Sequence, residues 1–237
     1  MPNQFHLVLA STSPRRREFM TILGVPFTAV SPDQAVEVDE TPLPEELPAQ
    51  LVQRLSQRKA LVVAQNLSCF PSLIEYTQTH HLIIIAADTV VALDNHILGK
   101  PQTPDEASEM LTSLRQQAHD VYSGLTIIYQ PPPTAPHAQQ KIVTLHHRSQ
   151  VWMRPYTDAE IEDYVATASP LDKAGAYGIQ DEGFAPVARL DGCFASVMGL
   201  PLAELADELR KLGVPLPPTP TFCSPHIGIP CCKTTSP

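Results

Sequence analysis

Leu7-Val-Leu-Ala-Ser11-Thr-Ser13-Pro14-Arg15-Arg16-Arg17 is the stretch around which the chain is organised. Phe5 to Ala10 forms an apolar, strand-like run, followed by hydroxyl residues, a proline and three arginines. Pro14 suits the first position of a helix, where its missing N–H would have no partner. That places Ser13 at the N-cap. Free N–H groups at a helix start attract anions, and guanidinium groups add forked donors. Two readings stand at this point: a phosphate cradle, or an ordinary cap followed by a solvated basic turn.

Composition narrows the choice. The chain has 237 residues and a formal net charge of −9. It suits one larger or two-lobed domain with a real core. Without a basic stripe, an acidic chain of this kind is no nucleic-acid binder. A basic cluster at Arg15 to Arg17 inside it favours a small anionic ligand. Five cysteines without regular spacing argue against a disulfide framework. No apolar run is long enough to span a membrane, and no secretory signal is read. A reducing, cytoplasmic setting is expected. Twenty-five prolines are about twice the usual share. Many lie in Pro131 to Pro136 and after Gly213.

From the opening strand outward, the pattern alternates between helices and strands. Arg15 to Leu23 reads as a helix ended by Gly24-Val-Pro26, and Phe27 to Val30 as a short strand. An acidic loop, Glu37 to Glu40, follows; alone it reads as a solvated turn. Leu47, Leu51 and Leu55 begin an amphipathic helix of about twenty residues that carries Lys59. Leu82-Ile-Ile-Ile-Ala-Ala87 is the most apolar stretch and reads as a central buried strand closing at Ala87. Asp88-Thr89 comes directly after it. An acid at the carboxyl end of such a strand is placed to hold a metal ion or activate water, or serves as a turn former. Val90 to Leu98 reads as a hairpin about Asp94-Asn95, bringing Lys100 back toward Asp88.

Thr103 to Glu106 and Thr157 to Glu160 have the form of capping boxes opening helices. Val121 to Tyr129 and Lys141 to Met153 read as strands joined by the proline loop. His119, His146 and His147 share no metal-ligand spacing with acidic partners. Asp172-Lys-Ala-Gly-Ala-Tyr-Gly-Ile-Gln180 is a loop whose small residues allow close approach of a ligand. Val187 to Met198 reads as a hairpin about Asp191-Gly192. Leu202 to Leu212 form a last amphipathic helix stopped by Gly213. In residues 214–237, Cys223, His226, Cys231 and Cys232 lack a usual zinc spacing, and this tail is expected to stand outside the core, leaving residues 1–213 as the domain.

Taken together these stretches resemble the Maf family of nucleoside triphosphate pyrophosphatases. The resemblance is carried by Leu9 to Arg16, Ala87 to Val91, Gly99-Lys-Pro101 with Glu106-Ala107, Asp172 to Gln180 and Gly199 to Leu202, in the family's order. It implies an α/β fold, a mixed twisted sheet flanked by helices, with two lobes around a cleft, like the inosine triphosphate pyrophosphatases. It implies cleavage between the α and β phosphates with a divalent cation, Mg²⁺ or Mn²⁺, and is compatible with a homodimer. By resemblance, Asp88 and Lys100 are catalytic, and Asp88 with Glu40 holds the metal. Ser13, Arg15, Arg16, Lys59, Thr89 and Gln180 bind substrate. Arg15, Thr89 and Gln180 match the branch that prefers dTTP and UTP rather than the one that prefers 7-methyl-GTP. Ser123-Gly124 stands where the family usually has Thr-Gly. A nucleotide-binding regulator of septum formation is the rival from another class, against which the intact Asp88 and Lys100 speak. An aspartyl-nucleophile phosphatase needs a second aspartate two residues on, and position 90 is valine.

Overall fold

In a computed structural model that describes residues 4–135 and 139–216, Phe5–Ala10 (β1) is the anchor of a mixed sheet. It pairs in parallel with Phe27–Val30 (β2) on one side and His81–Leu93 (β3) on the other. The rest of the ladder is antiparallel: Ala118–Gln130 (β5), Lys141–Met153 (β6) and Val187–Asp191 (β7) follow outward from β3. The order is β2-β1-β3-β5-β6-β7, with His96–Leu98 (β4) turning back onto the far end of β3. The expected mixed α/β sheet flanked by helices is what the chain forms.

Pro14–Ile22 (α1) and Leu202–Lys211 (α7) cover one face, burying Met20, Leu23, Leu205 and Leu209 against Leu7, Leu9, Ile83 and Ile85. Pro48–Gln65 (α2) covers the other, where Ala60 and Val63 meet Val8, Ile84 and Ile128. A separate apolar cluster forms where Pro104–Leu114 (α4) and Asp158–Ala166 (α5) pack on Val91, Val121, Val151 and Met153. The short helices Ile74–Thr77 (α3) and Phe194–Val197 (α6) complete the chain's α elements among the described residues. The long strands β3, β5 and β6 thus run through two lobes. The core also passes the expected boundary at Gly213, since Val214 is buried against the first cluster. Residues 217–237, and with them the reading of Cys223, His226, Cys231 and Cys232, lie outside the described residues, as does Pro136 of the proline loop.

Two expectations change. The central strand does not close at Ala87: β3 continues to Leu93, and β5 pairs with it residue for residue from Leu82 to Ala92. Thr89, Val90 and Val91 are β-branched and suit the extended backbone, so Asp88 interrupts the side-chain pattern and not the strand. What ends near Asp88 is its neighbour. β1 pairs with β3 up to Ile85, and β4 takes up the same edge from Val91. The second change is at Asp191-Gly192, which does not turn a hairpin. Gly192 takes a φ of 137°, and Cys193 then caps α6, its Sγ accepting from the Ser196 N–H at 3.4 Å. A Cβ on Gly192 would sit 2.5 Å from Ser149 Oγ, so close approach to β6 fixes glycine there. Both capping boxes form helices, but that of α4 is split. Thr103 Oγ1 accepts from the Glu106 N–H at 3.1 Å, while Glu106 reaches back to the N–H of Gln102 at 2.7 Å.

Candidate active site

The stretch of β3 from Ala86 to Val90 sits between the lobes, in the gap between β1 and β4. Alternation along a strand sends Asp88 to the α2 face and Thr89 to the α1 face. On the α2 face, Lys59 Nζ donates to Asp88 Oδ1 at 2.6 Å and lies 2.6 Å from Glu40 Oε1. One ammonium therefore bridges two carboxylates from different elements. Asp88 is 6% exposed. Burial pushes its carboxyl above the usual range, with the cations Lys59 and Arg16 opposing. Glu40 differs: burial also disfavours its charge, but Lys59, Lys100 and Arg16 outweigh that and hold it below its ordinary value.

The helix α2 comes this close because of Gly124, which pairs with Asp88 across the ladder. A Cβ there would stand 2.1 Å from the Val52 carbonyl oxygen. Ser56 and Thr126 lock the same contact with a hydrogen bond of 3.0 Å between their hydroxyls.

Ser13 occupies the N-cap of α1 but makes no side-chain cap hydrogen bond. Ser11 Oγ instead accepts from the Ser13 N–H at 3.2 Å. The Arg16 guanidinium turns inward, donating from Nε to the Gly199 carbonyl at 2.8 Å. Burial pulls it below its usual value, with Asp88 opposing. Arg15 points toward Asp172, with 3.9 Å between the charged atoms.

Two connected hollows result. A cleft of about 560 Å³ is lined by Ser13, Arg15, Arg16, Glu40, Lys59, Asp88, Thr89 and Lys100. A smaller cavity of about 150 Å³ shares Ser13, Arg15, Arg16, Thr89 and Lys100 and adds Val91, Val121, Tyr177, Gln180, Val197 and Gly199. Every residue singled out from the sequence thus reaches one hollow or both; Gln180 reaches only the smaller and stands apart from Asp88. The Asp172 to Gln180 loop is held from behind. Lys173 Nζ donates to the Ser169 carbonyl at 2.5 Å, to Ser169 Oγ and to Asp172 Oδ1.

Of the acids and histidines, Asp88 and Glu40 are the pair suited to a cation. Among the described residues no group of three His, Cys, Asp or Glu side chains is placed to hold a metal. The point on which Asp88 Oδ1 and Glu40 Oε1 converge is held by the Lys59 ammonium, so a cation would use the carboxylate oxygens that Lys59 leaves free. A Mg²⁺-class ion needs only one or two carboxylates when phosphate oxygens and water complete its shell. The donor set fits such an ion brought in with a phosphorylated ligand. It does not fit an all-protein cage.

Sequence reasoning named Ser123-Gly124 only as a departure from the family pattern and Lys173 only as part of a loop, and gave none of the three a role. A glycine inside a strand is a sign of close backbone approach, and a serine inside a buried strand must find a partner.

A sequence model of the Maf-like proteins matches residues 6–212. The chain belongs to the Maf family. A dTTP/UTP pyrophosphatase of Bacillus cereus (strain B4264) is 40% identical over 208 residues, which is 88% of this chain and 96% of that protein. One from Bacillus thuringiensis subsp. konkukian, also named dTTP/UTP pyrophosphatase, is 38% identical over the same shares. Among solved structures, a HAM1 protein from Coxiella burnetii aligns over 88% of this chain and all of its own, at 13% identity and a TM-score of 0.42. The match of this Maf chain encloses the stretches from Leu9 to Leu202 that carry the resemblance. No helix among its described residues is long and apolar enough to cross a membrane.

Proposed function

We propose that this chain hydrolyses a nucleoside triphosphate between the α and β phosphates, with dTTP and UTP preferred. The products are the nucleoside monophosphate and pyrophosphate. One juxtaposition carries the reading: a carboxylate–lysine–carboxylate bridge in a cleft lies beside a small cavity where Val91, Val121 and Val197 stand among Thr89, Gln180 and the cations Arg15, Arg16 and Lys100. The relatives' names, together with Arg15, Thr89 and Gln180, supply the choice of nucleotide.

The chemistry follows from the charges. A triphosphate entering the cleft meets Arg15, Arg16, Lys59 and Lys100, which offset its negative charge. The free N-terminus of α1, with the Ser13 hydroxyl unspent on capping, adds donors. A divalent cation held by Asp88 and Glu40 would neutralise phosphate oxygens and polarise the phosphorus under attack. Asp88 Oδ1 is engaged by Lys59, leaving Oδ2 to orient a water and take its proton as the new oxygen–phosphorus bond forms. The bond from the α phosphorus to its bridging oxygen breaks and pyrophosphate departs. A carboxyl raised by burial is a better base than a solvated one. Lys100, exposed at the mouth of both hollows, is placed to meet the leaving charge.

The test is pyrophosphate release from dTTP, UTP, CTP, 7-methyl-GTP and the common purine triphosphates with Mg²⁺ or Mn²⁺. Release from dTTP and UTP above the rest is expected. Preference for 7-methyl-GTP would overturn the assignment of Arg15, Thr89 and Gln180. Binding without release from any nucleotide would favour a regulator.

A further inference from the structure

Thr89 and Ser123 stand directly opposite each other in the β3–β5 ladder. Their hydroxyl oxygens are 2.7 Å apart. Ser123 is fully buried, and its Oγ lies 2.6 Å from the backbone carbonyl of Ser196 in α6. A carbonyl accepts only, so the single Ser123 proton is committed to it. The bond between the two hydroxyls must then run the other way: Thr89 donates and Ser123 accepts. Thr89 has no second proton. Toward the small cavity that it lines, its oxygen offers lone pairs alone.

We propose that Ser123 is a positioning residue for specificity: by fixing the Thr89 hydroxyl as an acceptor, it makes the small cavity select a nucleobase with an imide N–H over one with a bare ring nitrogen. The proposal rests on the reading that a nucleotide base occupies this cavity. Uracil and thymine carry that N–H at ring position 3; cytosine carries a lone pair there. Facing cytosine, Thr89 could turn its proton outward only by giving up its hydrogen bond to the buried Ser123 oxygen, which would keep its own bond to the Ser196 carbonyl but accept none. A polar site that loses its partner rejects a ligand far more strongly than an apolar wall rejects a change of size.

The experiment compares kcat/KM for UTP and CTP in the wild type, Ser123→Ala, Ser123→Cys and Ser123→Thr. A general packing defect would lower both nucleotides alike and leave the ratio unmoved. In Ser123→Ala, Thr89 is free to donate outward, and the preference for UTP is expected to fall about tenfold. Ser123→Thr retains a hydroxyl and should retain the ratio. Ser123→Cys, a weak donor of similar shape, should lie between and decides the matter if Ser123→Ala does not fold. A wild-type ratio in Ser123→Ala or Ser123→Cys would overturn the proposal, as would loss of the ratio in Ser123→Thr. A wild type that prefers UTP, with the ratio unmoved in the variants, sinks this inference alone. A wild type that acts on neither nucleotide sinks the reading of the reaction as well.

Discussion

Asp88 and Thr89 are neighbours in sequence and sit on opposite faces of one strand, and the two faces have been built differently. Behind Asp88 stand charges: Lys59 bridges it to Glu40, with Arg16 nearby. Behind Thr89 stand neutral hydrogen bonds: Ser123, then the Ser196 carbonyl. Each polar pair also interrupts the apolar packing of its own face. Asp88 and Gly124 fall between Ala86 and Val90; Thr89 and Ser123 fall between Ala87 and Val91. A single break in hydrophobic pattern thus opens two sites that share Arg15, Arg16 and Lys100 but differ in what stands behind the strand. The charged face suits phosphates and a cation. On the Thr89 face, whose cavity Arg15, Arg16 and Lys100 also line, the direction of the Thr89–Ser123 hydrogen bond suits the edge of a base.

This contrast can be broken from either side. The largest effect should come from Asp88→Asn, which removes the proposed base and a metal oxygen while keeping shape. Turnover should fall by about 10³-fold, for every nucleotide alike, with binding retained. Turnover within a few-fold of wild type, measured as pyrophosphate release, would remove Asp88 from the chemistry. Lys59→Met leaves Asp88 and Glu40 facing each other without their shared cation. A loss of about 10²-fold in kcat is expected, again without reordering substrates.

Stability predictions sharpen the account of how the faces are held. Gly124→Ala pushes a methyl into the Val52 carbonyl and must move α2. A cost of about 1–3 kcal/mol is expected, visible as a lower Tm, together with a loss of activity as Lys59 shifts from Asp88. An unchanged Tm would contradict the close approach. His119 behind the neutral face gives a pH dependence. Burial depresses its imidazole from 6.5 to about 4, with Asp120 opposing, while its Nε2 lies 2.7 Å from the Tyr177 hydroxyl. The folded state resists protonation and the unfolded state does not. Between these two values the unfolded chain binds more protons, so stability is full above 6.5 and falls as pH drops toward 4. The loss amounts to at most about 3 kcal/mol, and His119→Gln should flatten it in denaturant titrations. The smallest effect is expected from Asp172→Ala. Its partners are Arg15 at 3.9 Å and Lys173 at 2.9 Å, the aspartate is 70% exposed, and Lys173 keeps its two bonds to Ser169, so stability should change by under about 1 kcal/mol.

Much of this was legible in the residues. The apolar run at Phe5 to Ala10, the periodic helices and the capping boxes declare themselves locally, and the motifs from Leu9 to Leu202 point to the family. What stayed hidden depends on contacts far apart in sequence. The continuation of β3 past Asp88 is set by β5, which supplies a ladder partner that local pattern does not reveal. Lys59 alone reads as a solvated helical lysine; only the docking of α2, licensed by Gly124, turns it into the bridge between Asp88 and Glu40. The Asp191-Gly192 pair carries a hairpin signature, yet β7 already has β6 as its partner and the chain leaves into α6. The direction of the Thr89 hydroxyl depends on a backbone carbonyl more than a hundred positions away.

The most direct test of the division between faces is a matrix of kcat/KM values: wild type, Lys59→Met and Thr89→Val, each on UTP and CTP. Lys59→Met should lower both nucleotides by the same factor and keep their ratio. Thr89→Val should lower the UTP-to-CTP ratio by about tenfold while leaving turnover of bound substrate largely intact. A ratio that moves with Lys59→Met and holds in Thr89→Val would contradict the assignment of phosphate chemistry to one face and base reading to the other.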